Sequence, residues 1–126
     1  MNRKGPFGEF FRQKRKERRQ SLREFCRVNG FDPGNISKLE RGVLAPPQGE
    51  AVRLRYAQAL GIKAGTDEWL EFCDRAAAGS GMLPADLVQD EDMLKHLPIL
   101  FRTIRDSKLS EDELEKLIEI VRRESK

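Results

Sequence analysis

The stretch SLREFCRVNGFDPGNISKLERG, from Ser21 to Gly42, decides the fold. Its first four residues, Ser21-Leu22-Arg23-Glu24, fit a capping box, in which a Ser hydroxyl and a Glu carboxylate each satisfy an amide left unpaired at a helix start. The spacing predicts a helix from about Leu22 with Phe25, Cys26 and Val28 on its inner side. Asn29-Gly30 supplies its stop, because glycine takes positive φ without steric cost. Asp32-Pro33 then gives a cap followed by proline at the first helical position, where the missing N–H costs nothing. A helix is expected from Pro33 to about Arg41, with Ile36 and Leu39 facing inward at i, i+3 and Gly42 ending it. Two short helices joined by Gly30-Phe31-Asp32 have the spacing of a helix-turn-helix, with Phe31 as an apolar plug in the turn.

Working outward, Phe7, Phe10, Phe11 and Lys14 stand at helical spacing and predict a first helix from about Phe7 to Arg19. Its part from Arg12 to Arg19 holds six basic residues in eight. Such a run fits a solvated face, an RNA-binding stretch or a contact to a DNA backbone. Downstream, Pro46-Pro47 opens a fourth segment carrying Val52, Leu54, Tyr56, Ala59 and Leu60, closed by Gly61. Thr66 is the expected cap of a fifth helix, whose apolar face is Trp69, Leu70, Phe72 and Cys73, reaching as far as Ala78. Ala-Ala-Ala-Gly-Ser-Gly, from Ala76 to Gly81, marks the expected boundary. Beyond it come Leu83-Pro84, an apolar cluster of Leu94, Leu97, Ile99, Leu100, Phe101 and Ile104, and a final helix. That helix has a full start signal: Ser110 as cap, Glu113 as its partner, and Leu109 with Leu114 as a hydrophobic staple. Leu114, Leu117, Ile118 and Val121 form one stripe along it. Nothing reads as a strand.

With 126 residues, 38% hydrophobic and 36% charged, the chain has room for one domain plus an appendage and a densely ionic surface. The formal charge of +3 conceals an asymmetry. Residues 1–63 hold 15 Lys+Arg against 6 Asp+Glu, a net of +9, and residues 64–126 hold 9 against 15, a net of −6. A polyanion is drawn to the first half and repelled by the second. Cys26 and Cys73 form no CxxC and read as buried, reduced thiols. A single histidine, His96, excludes a cluster of histidine ligands, and no glycine-rich phosphate cradle occurs. Glu9 interrupts any apolar run near the start and no stretch reaches about 18 apolar residues, so a cytoplasmic protein without membrane attachment is expected.

The stretch from Ser21 to Gly42, most specifically Ile36-Ser37-Lys38-Leu39-Glu40-Arg41-Gly42, resembles the lambda repressor/Cro-like, or XRE-type, helix-turn-helix DNA-binding family. With the flanking helices the resemblance covers residues 7–78. It implies an all-α fold: a five-helix lambda-repressor-like helix-turn-helix domain, residues 1–78, with a small acidic helical C-terminal extension, residues 79–126. It further implies that Cys26 sits at a helix contact where the family usually has Ala, and that Glu40 pairs with Arg15 of the first helix. Arg15 would then divide its charge between Glu40 and a nearby phosphate. Pro33, Gly34, Ser37 and Lys38 map to the base-facing edge of the recognition helix, with Asn35 and Arg41 nearer the phosphates. Leu22 stands where the family often has a Gln phosphate clamp, so that contact passes to main-chain N–H groups and Arg23. Pro33 and Gly34 have no side-chain donor, and the Asp32 carboxylate is repelled by phosphate. Lys38 is therefore the one long donor aimed at base edges, able to reach guanine O6 and N7, and DNA shape must supply the rest of the selectivity.

The function expected is that of a sequence-specific double-stranded DNA-binding transcriptional regulator, a repressor acting as a homodimer on a palindromic operator with half-sites about 34 Å apart. No cofactor or metal is expected. The alternative is an antitoxin-type regulator that also neutralises a partner toxin through its C-terminal half. Its docking region would be Asp86, Asp90, Glu91 and Asp92 with the apolar cluster that follows, residues that otherwise read as a solvated helix start. The stripe Leu114, Leu117, Ile118, Val121 reads either as a dimer or partner seam or as an ordinary core-facing stripe. An enzyme is not expected: no nucleophile has a visible base, and His96 lies among Lys95, Leu97 and Pro98. Single-strand binding lacks its aromatic platform, since the one Trp and one Tyr both fall inside apolar helical stripes.

Overall fold

A computed structural model describes residues 5–124. Among these the chain is all-α: α1 (Gly5–Glu17), α2 (Leu22–Asn29), α3 (Pro33–Glu40), α4 (Glu50–Ala59), α5 (Asp67–Gly79), α6 (Ala85–Val88), α7 (Glu91–Ser107) and α8 (Glu111–Glu124). No helix among the described residues is long and apolar enough to cross a membrane. Two compact units divide the chain, Met1–Pro84 and Ala85–Lys126. The first runs past Ala78, where the boundary was expected. Its last helix turn is tied in, with the Ser80 hydroxyl donating to the Pro46 carbonyl at 3.3 Å and Met82 N–H to Ala77 O at 2.8 Å.

Helix starts in the first unit follow the expected caps. Ser21 Oγ accepts from Glu24 N–H at 3.1 Å, Asp32 Oδ2 from Asn35 N–H at 2.9 Å, and Thr66 Oγ1 from Trp69 N–H at 3.1 Å. The stops follow too, Gly30, Gly42 and Gly61 standing at φ of 72°, 77° and 80°. The expected first helix instead ends at Glu17, and Arg19 takes φ 57°. Two placements on inner or apolar faces, Val28 and Leu70, need correction. Val28 is 56% exposed, and Leu70 and Val52 also face solvent. In a helix of only eight residues the inner side narrows to Phe25 and Cys26, and Asn29 turns back to donate to the Phe25 carbonyl at 2.8 Å.

The core is phenylalanine-rich. Phe7, Phe11, Phe25 and Phe72 are all sealed from solvent, and Phe11 meets both Phe25 and Tyr56 edge-on with ring centroids 5.9 and 5.7 Å apart. α1 is the central element, packed against both α3 and α5. Gly8 permits that approach to α3: a Cβ there would stand 2.5 Å from the Glu40 carbonyl oxygen and 2.6 Å from that of Leu39. Farther along α1, Arg15 Nε and Nη2 donate to Glu40 Oε2 and Oε1 at 2.7 and 3.0 Å, and Nη1 donates to the Gln20 carbonyl at 3.0 Å. Both partners of this bidentate pair are buried.

In the second unit Asp90 Oδ1 caps α7 by accepting from Met93 N–H at 3.1 Å. α7 gathers the apolar cluster from Leu94 to Ile104 into a single helix through Pro98, which lacks the N–H for one interior helix bond. The box at α8 closes both ways: Ser110 Oγ accepts from Glu113 N–H at 3.2 Å, and Glu113 Oε1 from Ser110 N–H at 2.9 Å. These hydrogen bonds hold the Glu113 carboxyl below its ordinary value. Leu97 is buried, but no described residue of α8 is. Leu114, Leu117, Ile118 and Val121 are all exposed, so none of them lies in a core of this unit.

Gly8→Ala should destabilise the chain by about 1–3 kcal/mol, because two carbonyls rather than a flexible side chain oppose the new methyl; a shift of the urea midpoint measures it. Arg15→Met should cost about 3–5 kcal/mol by leaving the Glu40 charge buried alone, and adding Glu40→Leu should recover much of the loss. A double variant no more stable than the single one would contradict that account. Glu113, with its pKa lowered by folding, contributes stability that is present above the ordinary carboxylate pKa and lost as pH falls through the folded value. Far-UV circular dichroism should therefore show helix content declining on acidification, with a smaller decline in Glu113→Gln.

Candidate nucleic-acid interface

The outer surface of α3 is defined by what its inner surface must hold. Ile36 and Leu39 are almost fully buried, and Glu40 is locked to Arg15. Opposite them, at i, i+4 and i+7, lie Gly34, Lys38 and Arg41, all exposed. Asn35 is exposed on one shoulder of this face, and Ser37 is half-buried on the other. Arg41 Nε donates to Ser37 Oγ at 3.3 Å, which draws the guanidinium back along the helix and leaves the hydroxyl hydrogen to seek another acceptor. A Cβ on Gly34 would meet the Asp32 carboxylate oxygen at 3.2 Å and no other part of the protein so closely. The glycine is thus a low point on an outward surface rather than a packing requirement.

Beside the start of α3 lies a shallow groove of about 510 Å³, lined by Ser21, Arg23, Glu24, Arg27, Phe31 and Pro33. It brings together two residues expected at the interface, Arg23 and Pro33, with the N-terminus of α2, where a helix leaves its first amides without intrahelical partners. Arg27 joins them although the sequence reading passed over it; its i+4 spacing from Arg23 is the signal that would have found it. Arg55 was missed as well. Its guanidinium carbon sits 5.3 Å from the centroid of the Phe31 ring, so α4 delivers a cation to the turn between α2 and α3. Phe31 is half-buried there, 5.8 Å from Phe25 and 5.0 Å from Tyr56 between centroids, as a plug in the turn should be. No sequence signal places a residue of α4 against that turn.

The basic run of α1 is divided by the fold. Lys14 bonds to Glu68 of α5, lies 3.6 Å from Glu17, and has its pKa raised chiefly by the Glu68 hydrogen bond. Arg15, its pKa raised chiefly by the bond to Glu40, has Nε and both terminal nitrogens engaged inside the protein. The expected sharing of Arg15 with a phosphate is corrected by this burial, which leaves the guanidinium no face toward an external anion. Arg12 and Lys16 remain exposed, but they share a shallow depression with Glu9, Gln13 and Glu17. Arg18 and Arg19, beyond that depression, are exposed as well.

Cys26 is buried at the back of α2, and burial raises the pKa of its thiol; the same cause acts on half-buried Cys73. Neither is poised as a nucleophile. His96 is exposed on α7, its Nδ1 2.7 Å from the Asp92 carbonyl one turn back. Among the described residues no three or more His, Cys, Asp or Glu side chains gather as metal ligands. No protein-family model matches the chain, and no curated protein or solved structure matches it either.

Proposed function

We propose that the chain is a sequence-specific double-stranded DNA-binding regulator, a repressor that acts as a homodimer on a palindromic operator. The observation that carries this reading is the division of α3 into a clamped inner side and an outer face, Gly34, Lys38 and Arg41, that takes no part in the core. A helix held in that way fits the major groove, whose width admits one α-helix. Lys38 is the base reader, directed at guanine O6 and N7, with Ser37 beside it. Arg41, Asn35, Arg23 and Arg27 serve phosphates, aided by the first amides of α2. The net charge of +9 on residues 1–63 adds the long-range attraction that brings a duplex to this side.

An antitoxin-type regulator is the second reading, favoured by the exposed apolar residues of α7 and α8 as a surface for a partner toxin. Both readings share the DNA-binding face and differ only in what meets the C-terminal helices.

Lys38→Ala should reduce the preference for the selected operator over random duplex by roughly 5- to 150-fold, the equivalent of about 1–3 kcal/mol for one base contact. An equal loss on both duplexes would reassign Lys38 to the backbone. Arg41→Ala should weaken binding to either duplex and lower the slope of log affinity against log salt by about 1. Selection from a random duplex pool supplies the operator, and absence of any duplex affinity at low salt would end the DNA reading.

A further inference from the structure

α8 is fourteen residues long and none of its described side chains is buried, although Leu114, Leu117, Ile118 and Val121 follow one another at i, i+3, i+4 and i+7. Ile118 and Val121 are 52% and 56% exposed. An isolated helix of this length is marginal in water, and its stability must come from covering such a stripe. α7 carries a similar line, Leu94, Leu97, Phe101 and Ile104, of which Leu97 is buried and the other three are exposed.

The charges of α8 identify the cover. Its first turn carries Glu111, Asp112 and Glu113, and its last carries Arg122 and Arg123. Glu111, Glu115 and Arg122, at i, i+4 and i+11, share one flank of the apolar stripe. In an antiparallel helix pair a flank meets its own counterpart, so this edge is complementary to itself. With a twofold axis between Leu117 and Ile118, Leu114 falls against Val121 of the partner subunit. Arg122 of the partner subunit then falls between Glu111 and Glu115, and the contact occurs twice. A parallel pair in register would instead set acid against acid at one end and base against base at the other. α7 has the same polarity, acidic at Asp90, Glu91 and Asp92 and basic at Arg102 and Arg105.

We propose that residues 85–126 are a dimerisation module in which α8 pairs antiparallel with α8 of a second copy, with Arg122 seated between the two glutamates of the opposite chain. The exposed side of α7 widens the apolar contact, which two heptads alone would leave too small. This deepens the homodimer named above by giving its surface and orientation. It rests on α8 and is read without DNA, so loss of the DNA-binding reading leaves it standing.

Sedimentation of the full chain without DNA tests it. Wild type should be a dimer at micromolar concentration. Arg122→Glu alone and the double variant Glu111→Lys/Glu115→Lys alone should each sediment as monomers, because each sets like charges together. Mixed in equal amounts they should re-form a dimer, since both clusters of the mixed pair are then complementary. A wild type that stays monomeric, single variants that stay dimeric, or a mixture that fails to associate would each overturn the proposal. Cross-linking gives a measurement independent of the charge variants. Under mild oxidation Ile118→Cys, beside the axis, should form a disulfide with its counterpart, and Glu111→Cys, at opposite ends of the pair, should not. A disulfide between the two copies of Glu111→Cys would mark a parallel pair, failure of Ile118→Cys to cross-link would remove the pairing about that axis, and either would reject the model; assembly only with another protein would transfer the surface to the antitoxin reading.

Discussion

The buried pair of Arg15 and Glu40 is the constraint on which the rest of the first unit depends. It joins the late part of α1 to the end of α3 by two short charge-assisted bonds, and a third bond to the Gln20 carbonyl uses the remaining terminal nitrogen. Taking two charges out of water is costly, and a pair of similar apolar residues could serve stability as well. What the ion pair adds is a fixed geometry. A planar guanidinium meets a carboxylate in one arrangement, and that arrangement sets the rotation of α3 about its own axis. Gly8, two turns earlier on α1, sets the distance between the two helices at the same end of α3, against the Leu39 and Glu40 carbonyls. Rotation and distance together decide which side chains of α3 are turned outward.

Much of this was legible because it is local. Ser21, Asp32, Thr66 and Ser110 cap their helices as a three-residue spacing predicts, and Gly30, Gly42 and Gly61 stop theirs. Each feature depends on the backbone within one turn, so a short window of sequence contains its whole cause. The pairing of Arg15 with Glu40 spans 25 positions and was legible only through a family resemblance. Its burial, which removes Arg15 from any phosphate, was not, because fractional exposure is a property of the packed unit.

The misreadings have the same origin. Val28 was assigned inward by its hydrophobicity, but two turns of helix present too narrow a side to bury it with Phe25 and Cys26. Arg55 reaches the turn through Phe31, a contact made by a different helix. α7 was visible only as an apolar cluster because Pro98 interrupts the helical pattern, although the cap at Asp90 precedes it and the hydrophobic spacing continues beyond it.

The two sides of α3 share almost no side chains. Ile36, Leu39 and Glu40 answer to the core, while Gly34, Lys38 and Arg41 are exposed, and Arg41 bonds back to Ser37. Replacements on the outer side should therefore leave folding nearly untouched, so that altering what this face meets need not cost the scaffold its stability. One short helix and its cap thus separate the positions that hold the scaffold from those that can be exchanged without disturbing it.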